Sequence, residues 1–122
     1  MAPPLTAEEK TLRARATKLT SSAKWRAKKK GLPFEIDREL VLEKLRSGKC
    51  KVSGLPFSYD PAHVGRKRNG FAPSLHRRDC TQGYTRENTM LVCVAANVAI
   101  SELTHNEFLL LALAILRAHD LA

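Results

Sequence analysis

His76, Arg77 and Asp79 stand within one four-residue stretch, and Asn88 and Asn97 follow it, nine positions apart. An imidazole takes a proton or binds a metal near neutral pH, carboxylate and amide oxygens can serve a cation, and a guanidinium stays charged and grips phosphate. Each residue also has a plain structural role. A lone strand histidine is commonly structural, Asn88 suits a turn because Asn tolerates left-handed backbone, and Asp79 can pair with Arg77, Arg78 or Arg86. Asn97 is harder to read as incidental. It lies between Val94-Ala-Ala and Val98-Ala-Ile, where an unpaired amide is costly to bury.

Elements of definite type must position these side chains. Pro73 to Asp79 reads as a strand, Gly83-Tyr-Thr-Arg-Glu-Asn as a turn into another strand ending near Cys93, and Ala95 to Ser101 as a helix. Thr104, with Glu107 three residues on, opens a last helix to His119. Upstream, Thr6-Ala-Glu-Glu is a capping box in which Glu9 reaches back to Thr6, and the helix it starts runs to Lys30, stopped by Gly31 and Pro33. Its surface is basic on most sides, so it is expected to be poorly buried, with Trp25 packing it onto the body. Asp37 caps a helix from Arg38 to Arg46 whose Leu40, Val41, Leu42 and Leu45 face a core. Cys50 to Phe57 reads as a strand, a glycine turn and an anchoring aromatic, and Tyr59 to Ala72 as a mobile loop.

Four stretches together resemble the HNH, or His-Me finger, nucleases, and most closely their small phage-type members. They are Cys50 to Phe57, Ser74-Leu-His-Arg-Arg-Asp79, Gly83-Tyr-Thr-Arg-Glu-Asn88 and Leu91-Val-Cys-Val-Ala-Ala-Asn97. The likeness spans roughly Trp25 to Leu116, with Asn88 and Asn97 at the second and third HNH positions. It implies an α+β fold: a ββα-metal core with an N-terminal basic helix and a C-terminal helix that closes it. In domain terms, residues 1–31 form a basic arm and residues 32–122 the HNH-like domain. It also implies a metal-dependent DNA endonuclease or nickase. In the family a strand gives acid and base, the central Asn fixes the base, and a residue on the next helix completes the site of one divalent ion, here Mg or Mn.

The first motif departs from the family pattern, which usually has Asp-His where this chain has His76-Arg77. Aligned directly, His76 takes the metal-ligand position and Arg77 the base position, supported by Asn88, yet an arginine cannot be deprotonated in a protein. In the other assignment His76 is the base while Asp79 and Asn97 hold the metal. Regular strand alternation points 76 and 79 to opposite faces, so that arrangement needs a bulge at Arg78. Two further readings stay open: a catalytically inactive DNA-binding protein that keeps the fold, and an inhibitor or adaptor of a nucleic-acid-processing complex.

Charge gives the partner class. Lys and Arg number 21 against 12 Asp and Glu in 122 residues, a formal charge of +9, which suits a polyanion. The expected nucleic-acid contacts, with double-stranded DNA favoured by the resemblance, are Arg13, Lys18, Lys24, Arg26, Lys28, Lys29 and Lys30 on the first helix, then Arg66, Lys67, Arg68, Arg78 and Arg86. Cys50, Cys80 and Cys93 form no CxxC pair. They are expected as small core residues rather than as a structural zinc site, in a reducing cytoplasm, that of the host if the gene is a phage's. The longest strongly apolar stretch, Phe108 to Leu116, is too short to span a bilayer, which takes about 20 residues.

Overall fold

The computed structural model describes residues 3–122. α1 (Ala7–Lys30) begins where the Thr6 hydroxyl accepts the Glu9 amide at 3.1 Å, and it ends at Gly31, left-handed with φ 67. The expected return bond from Glu9 to Thr6 is not made. The Glu9 carboxylate instead takes Arg46 at 2.6 Å and Arg13 at 3.3 Å, and the Arg46 hydrogen bond holds its carboxyl below the usual range. α2 (Arg38–Leu45) starts at Asp37, whose carboxylate accepts the Leu40 amide at 2.9 Å.

Much of α1 is exposed, as its charge requires, yet the helix is seated. Ala16, Ala23 and Ala27 make a fully buried stripe in one cluster with Leu40, Val41, Leu42 and Leu45 of α2. Alanine lets the two helices approach without displacing the long basic side chains on the outer faces. Trp25 does not do the packing. It is 61% exposed, and the Lys29 ammonium sits 4.5 Å from the centre of its ring.

The sheet is a two-stranded antiparallel hairpin of β1 (Pro73–Arg77) and β2 (Thr89–Cys93), in which Leu75 faces Leu91, His76 faces Met90 and Ser74 faces Val92. Alternation sorts these pairs onto two faces. Leu75 and Leu91 join the α1/α2 cluster, while Val92 and Met90 pack with Cys50, Cys93 and Ala96. α3 (Val94–Ile100) follows β2 without a loop, one residue earlier at each end than the sequence pattern suggests. The pairing runs on unbroken past β1, the Arg78 amide bonding the Asn88 carbonyl at 2.9 Å. The bulge that would turn Asp79 toward His76 is therefore not formed.

Cys50 to Phe57 is a turn rather than a strand. A single bridge joins Lys49 to Pro56, Gly54 is left-handed at φ 74, and Phe57 packs against both clusters. Cys50 and Cys93 are buried as expected, whereas Cys80 is exposed. The irregular stretch after Phe57 is pinned by the Asn69 amide, which donates to the Ser58 hydroxyl at 2.8 Å and the Asp60 carbonyl at 3.1 Å.

α4 (His105–Ala118) opens on a complete capping box between Thr104 and Glu107, yet it buries no residue. It does not close the core. It leaves α3 at 103° and carries exposed Leu109, Leu110, Leu111, Ile115 and Leu116. Among the described residues no single helix is long and apolar enough to cross a membrane.

One glycine is required by contact. Gly83 lies against the chain after α1, where the Tyr84 amide bonds the Pro33 carbonyl at 3.0 Å and the Glu35 amide bonds the Tyr84 carbonyl at 2.8 Å. A Cβ there would run into the Pro33 carbonyl oxygen. Gly83→Ala is expected to lower stability by about 1 to 3 kcal/mol, the usual cost of overpacking, measurable as a shifted denaturant midpoint. An unchanged midpoint would mean that this seam yields easily.

Candidate active site and nucleic-acid interface

His76 and Ser74 project from the face of β1 that α3 covers, and Asn97 on α3 meets both. The Asn97 Oδ1 lies 3.0 Å from His76 Nδ1, while its Nδ2 donates to the Ser74 hydroxyl at 2.7 Å and the Leu75 carbonyl at 3.1 Å. The Leu75 carbonyl can only accept, which fixes the amide's orientation and leaves its oxygen facing the imidazole. The neutral ring therefore carries its proton on Nδ1 and its free lone pair on Nε2. His76 is only 8% exposed, so that lone pair is offered to the cavities beside it rather than to open solvent.

Among the described residues two cavities take His76 into their walls. One, of about 300 Å³, is lined with His76 by Arg26, Arg68, Ser74, Arg77, Cys80, Tyr84, Asn97 and Ser101. The other, of about 380 Å³, is lined with His76 by Lys51, Val52, Arg78, Met90, Ile100, Leu103, His105 and Phe108. His105, the first residue of α4, thus shares a cavity with His76.

The remaining expected site residues do structural work. Arg77 Nη1 donates to the Cys80 carbonyl at 2.7 Å and the Gln82 carbonyl at 2.9 Å, with its guanidinium 5.4 Å from the centre of the Tyr84 ring. Asn88 does not touch the imidazole. Its Oδ1 accepts the Asp79 amide at 2.9 Å and its Nδ2 donates to the Gly83 and Asp79 carbonyls at 2.8 and 3.1 Å, bracing the connection between the strands. The Asp79 carboxylate accepts the Thr81 hydroxyl at 2.6 Å and amide at 2.9 Å, and the hydroxyl bond keeps its carboxyl below the usual range. Asp79 lines neither cavity beside His76.

The expected metal set His76, Asp79 and Asn97 is accordingly not assembled. Asn97 acts on His76 from behind, as an orienting partner, and no carboxylate lines either cavity. No group of three His, Cys, Asp or Glu among the described residues could hold an ion. A hard divalent cation such as Mg or Mn seeks anionic oxygen, and a single imidazole among three guanidinium groups does not fit it.

Of the expected basic contacts, Lys18, Arg26, Lys67 and Arg68 come together with Arg15 around a cavity of about 350 Å³. Arg26 and Arg68 also line the His76 cavity, so this surface leads into the site. Arg78 and Arg86 share a separate cavity, of about 450 Å³. Arg13 is paired with Glu9, and Lys24, Lys28, Lys29, Lys30 and Arg66 are exposed away from these cavities. Sequence reasoning missed Ser74 and Tyr84. The period of two along β1 places Ser74 on the face of His76, a usable signal, whereas Tyr84 is found only from its contact with Arg26, whose Nε donates to its hydroxyl at 3.1 Å.

No family model matches this chain, and no curated protein matches it. Among solved structures it is similar to the rare-cutting HNH restriction endonuclease PacI, with a TM-score of 0.64 over 84% of this chain and 78% of PacI, at 21% identity. The fold is HNH-like. Within the HNH-like frame the hairpin and α3 form the ββα unit, with His76 and Asn97 facing each other across it.

The imidazole's state is open to direct measurement. In ¹⁵N-labelled protein in mildly alkaline buffer, the His76 Nδ1 is expected to show the protonated chemical shift and Nε2 the unprotonated one. Asn97→Leu is expected to return the ring to a mixture of tautomers. A wild-type ring protonated on Nε2 would refute the hydrogen-bond assignment.

Proposed function

We propose that this chain is a DNA endonuclease or nickase that hydrolyses a phosphodiester at His76. The observation that carries this reading is the Asn97-oriented imidazole, with Nε2 free, in a cavity bordered by Arg26, Arg68 and Arg77. The Nε2 lone pair would take a proton from water as it attacks phosphorus, the P–O bond to the leaving sugar oxygen would break, and that oxygen would take its proton from solvent. The guanidinium groups, Arg77 through the nitrogens its carbonyl bonds leave free, would bind the phosphate oxygens and offset the charge that builds in the transition state. PacI supports the nuclease reading as a protein of similar fold that acts on DNA. The substrate proposed is double-stranded DNA. The sequence likeness implies a Mg or Mn ion, but the donors around His76 do not fit one, and no step here depends on it.

Supercoiled plasmid tests this with Mg, with Mn and with EDTA. Wild-type protein is expected to nick in all three. His76→Ala is expected to abolish nicking, and Asn97→Ala to slow it about 10 to 100-fold, as is usual for loss of an orienting partner. No nicking under any condition would refute the enzyme; nicking only with metal would refute the role given to the arginines.

A second reading, a DNA-binding protein without catalysis, is favoured by one observation. Arg77, in the position where the family usually has its base, is spent on the Cys80 and Gln82 carbonyls. It predicts plasmid binding that survives His76→Ala without any nicked product.

A further inference from the structure

Five cations converge beyond the cavity that His76 shares with Lys51 and Arg78. Lys44 comes from the last turn of α2, Lys49 and Lys51 from the turn that follows, Arg78 from the end of β1 and Arg86 from the connection to β2; together they line the cavity of about 450 Å³ with one acid, Glu87. Among the described residues none of the five takes part in an ion pair. Gathering like charges from four segments without partners opposes folding, and an external anion would relieve that repulsion.

The position of this cluster indicates which anion. Lys51 and Arg78 line both this cavity and the one that also holds His76. On the other side, His76 shares its second cavity with Arg26 and Arg68, which lead on to Arg15, Lys18 and Lys67. Shared wall residues thus join four cavities into one basic path with the imidazole in its middle. A mononucleotide or free phosphate would engage one end at most; a chain of phosphates can engage both.

We propose that Lys44, Lys49, Lys51, Arg78 and Arg86 form a second phosphate-binding flank, so that a DNA strand crosses the His76 site and is held on both sides of it. This rests on the reading of His76 as the phosphodiester site, and it specifies that the strand must continue past the site in both directions. An internal phosphate is then the substrate and a strand end is not.

Binding separates this proposal from the cleavage reading. Full-length protein and a fluorescent 30-base-pair duplex in EDTA would be followed by anisotropy from low to moderate salt, with hydroxyl-radical footprints of the same complexes. The far-flank variant is K44A/K49A/R86A, the near-flank variant R15A/K18A/K67A, and melting curves check that both fold. Each is expected to flatten the dependence of log K on log salt by about 0.9 per charge removed, near 2.7 in all. Each is also expected to shorten the footprint, from opposite ends. K49E/R86E is expected to weaken binding further while its melting temperature does not fall.

An unchanged salt slope and footprint in the far-flank variants, with the near-flank variant impaired, would overturn the second flank and leave the His76 reading standing. Absence of duplex binding by wild type would overturn both. Equal affinity for polyglutamate of matched charge would overturn the proposal in favour of an acidic protein partner. Plasmid nicking without any loss in the far-flank variants would uphold the enzyme and again refute the flank.

Discussion

The Asn97 amide holds together three things that the chain supplies separately: a helix, a strand and an imidazole. Its nitrogen is satisfied by the Ser74 hydroxyl and the Leu75 carbonyl, so α3 is tied to β1, and its oxygen is thereby committed to His76. The constraint works in both directions. A half-buried amide that lost one of these partners would leave a polar atom unpaired where water reaches it poorly, at up to about 1 to 3 kcal/mol. The ring in turn has one tautomer available while the amide is in place. The register of the hairpin then matters for chemistry as well as for packing. A slip of one residue would turn Ser74 and His76 away from α3 and bring Leu75 and Arg77 against it.

Much of this was legible in the sequence where a local rule decides the outcome. Thr6, Asp37 and Thr104 cap their helices because a side-chain oxygen within three residues of free amides suffices. The apolar positions of α2 are buried as their spacing requires. The amide of Asn97 among apolar neighbours had to find partners, and it did. What stayed hidden depends on residues far apart in the chain. Glu9 abandoned its own helix cap because Arg46, 37 positions away, offered a stronger charged partner. Asn88 resembles a base-fixing residue in spacing, yet only the path of the connection between β1 and β2 reveals that its side-chain amide makes three hydrogen bonds to backbone there. Trp25 looked like an anchor because single tryptophans usually bury, and an alanine stripe on the same helix took that role instead. The basic residues around Arg78 and Arg86 formed no run in the sequence, so their convergence with Lys44, Lys49 and Lys51 was invisible until the segments were placed.

Histidine rather than aspartate at position 76 sets the electrostatics of the whole pocket. An aspartate there would face Arg26, Arg68 and Arg77 across the same cavity and neutralise part of their charge, while also giving a cation a ligand. With an imidazole in its place the pocket contains no carboxylate of its own. The guanidinium charge is left for whatever enters, and a phosphodiester is attracted where a metal ion would be repelled. The second face of His76 has the same character, since Lys51 and Arg78 border it with no acid opposite. Attraction of an anion and exclusion of a cation are therefore two consequences of one charge distribution, and Arg77, held by two loop carbonyls and the Tyr84 ring, keeps that distribution fixed beside the imidazole.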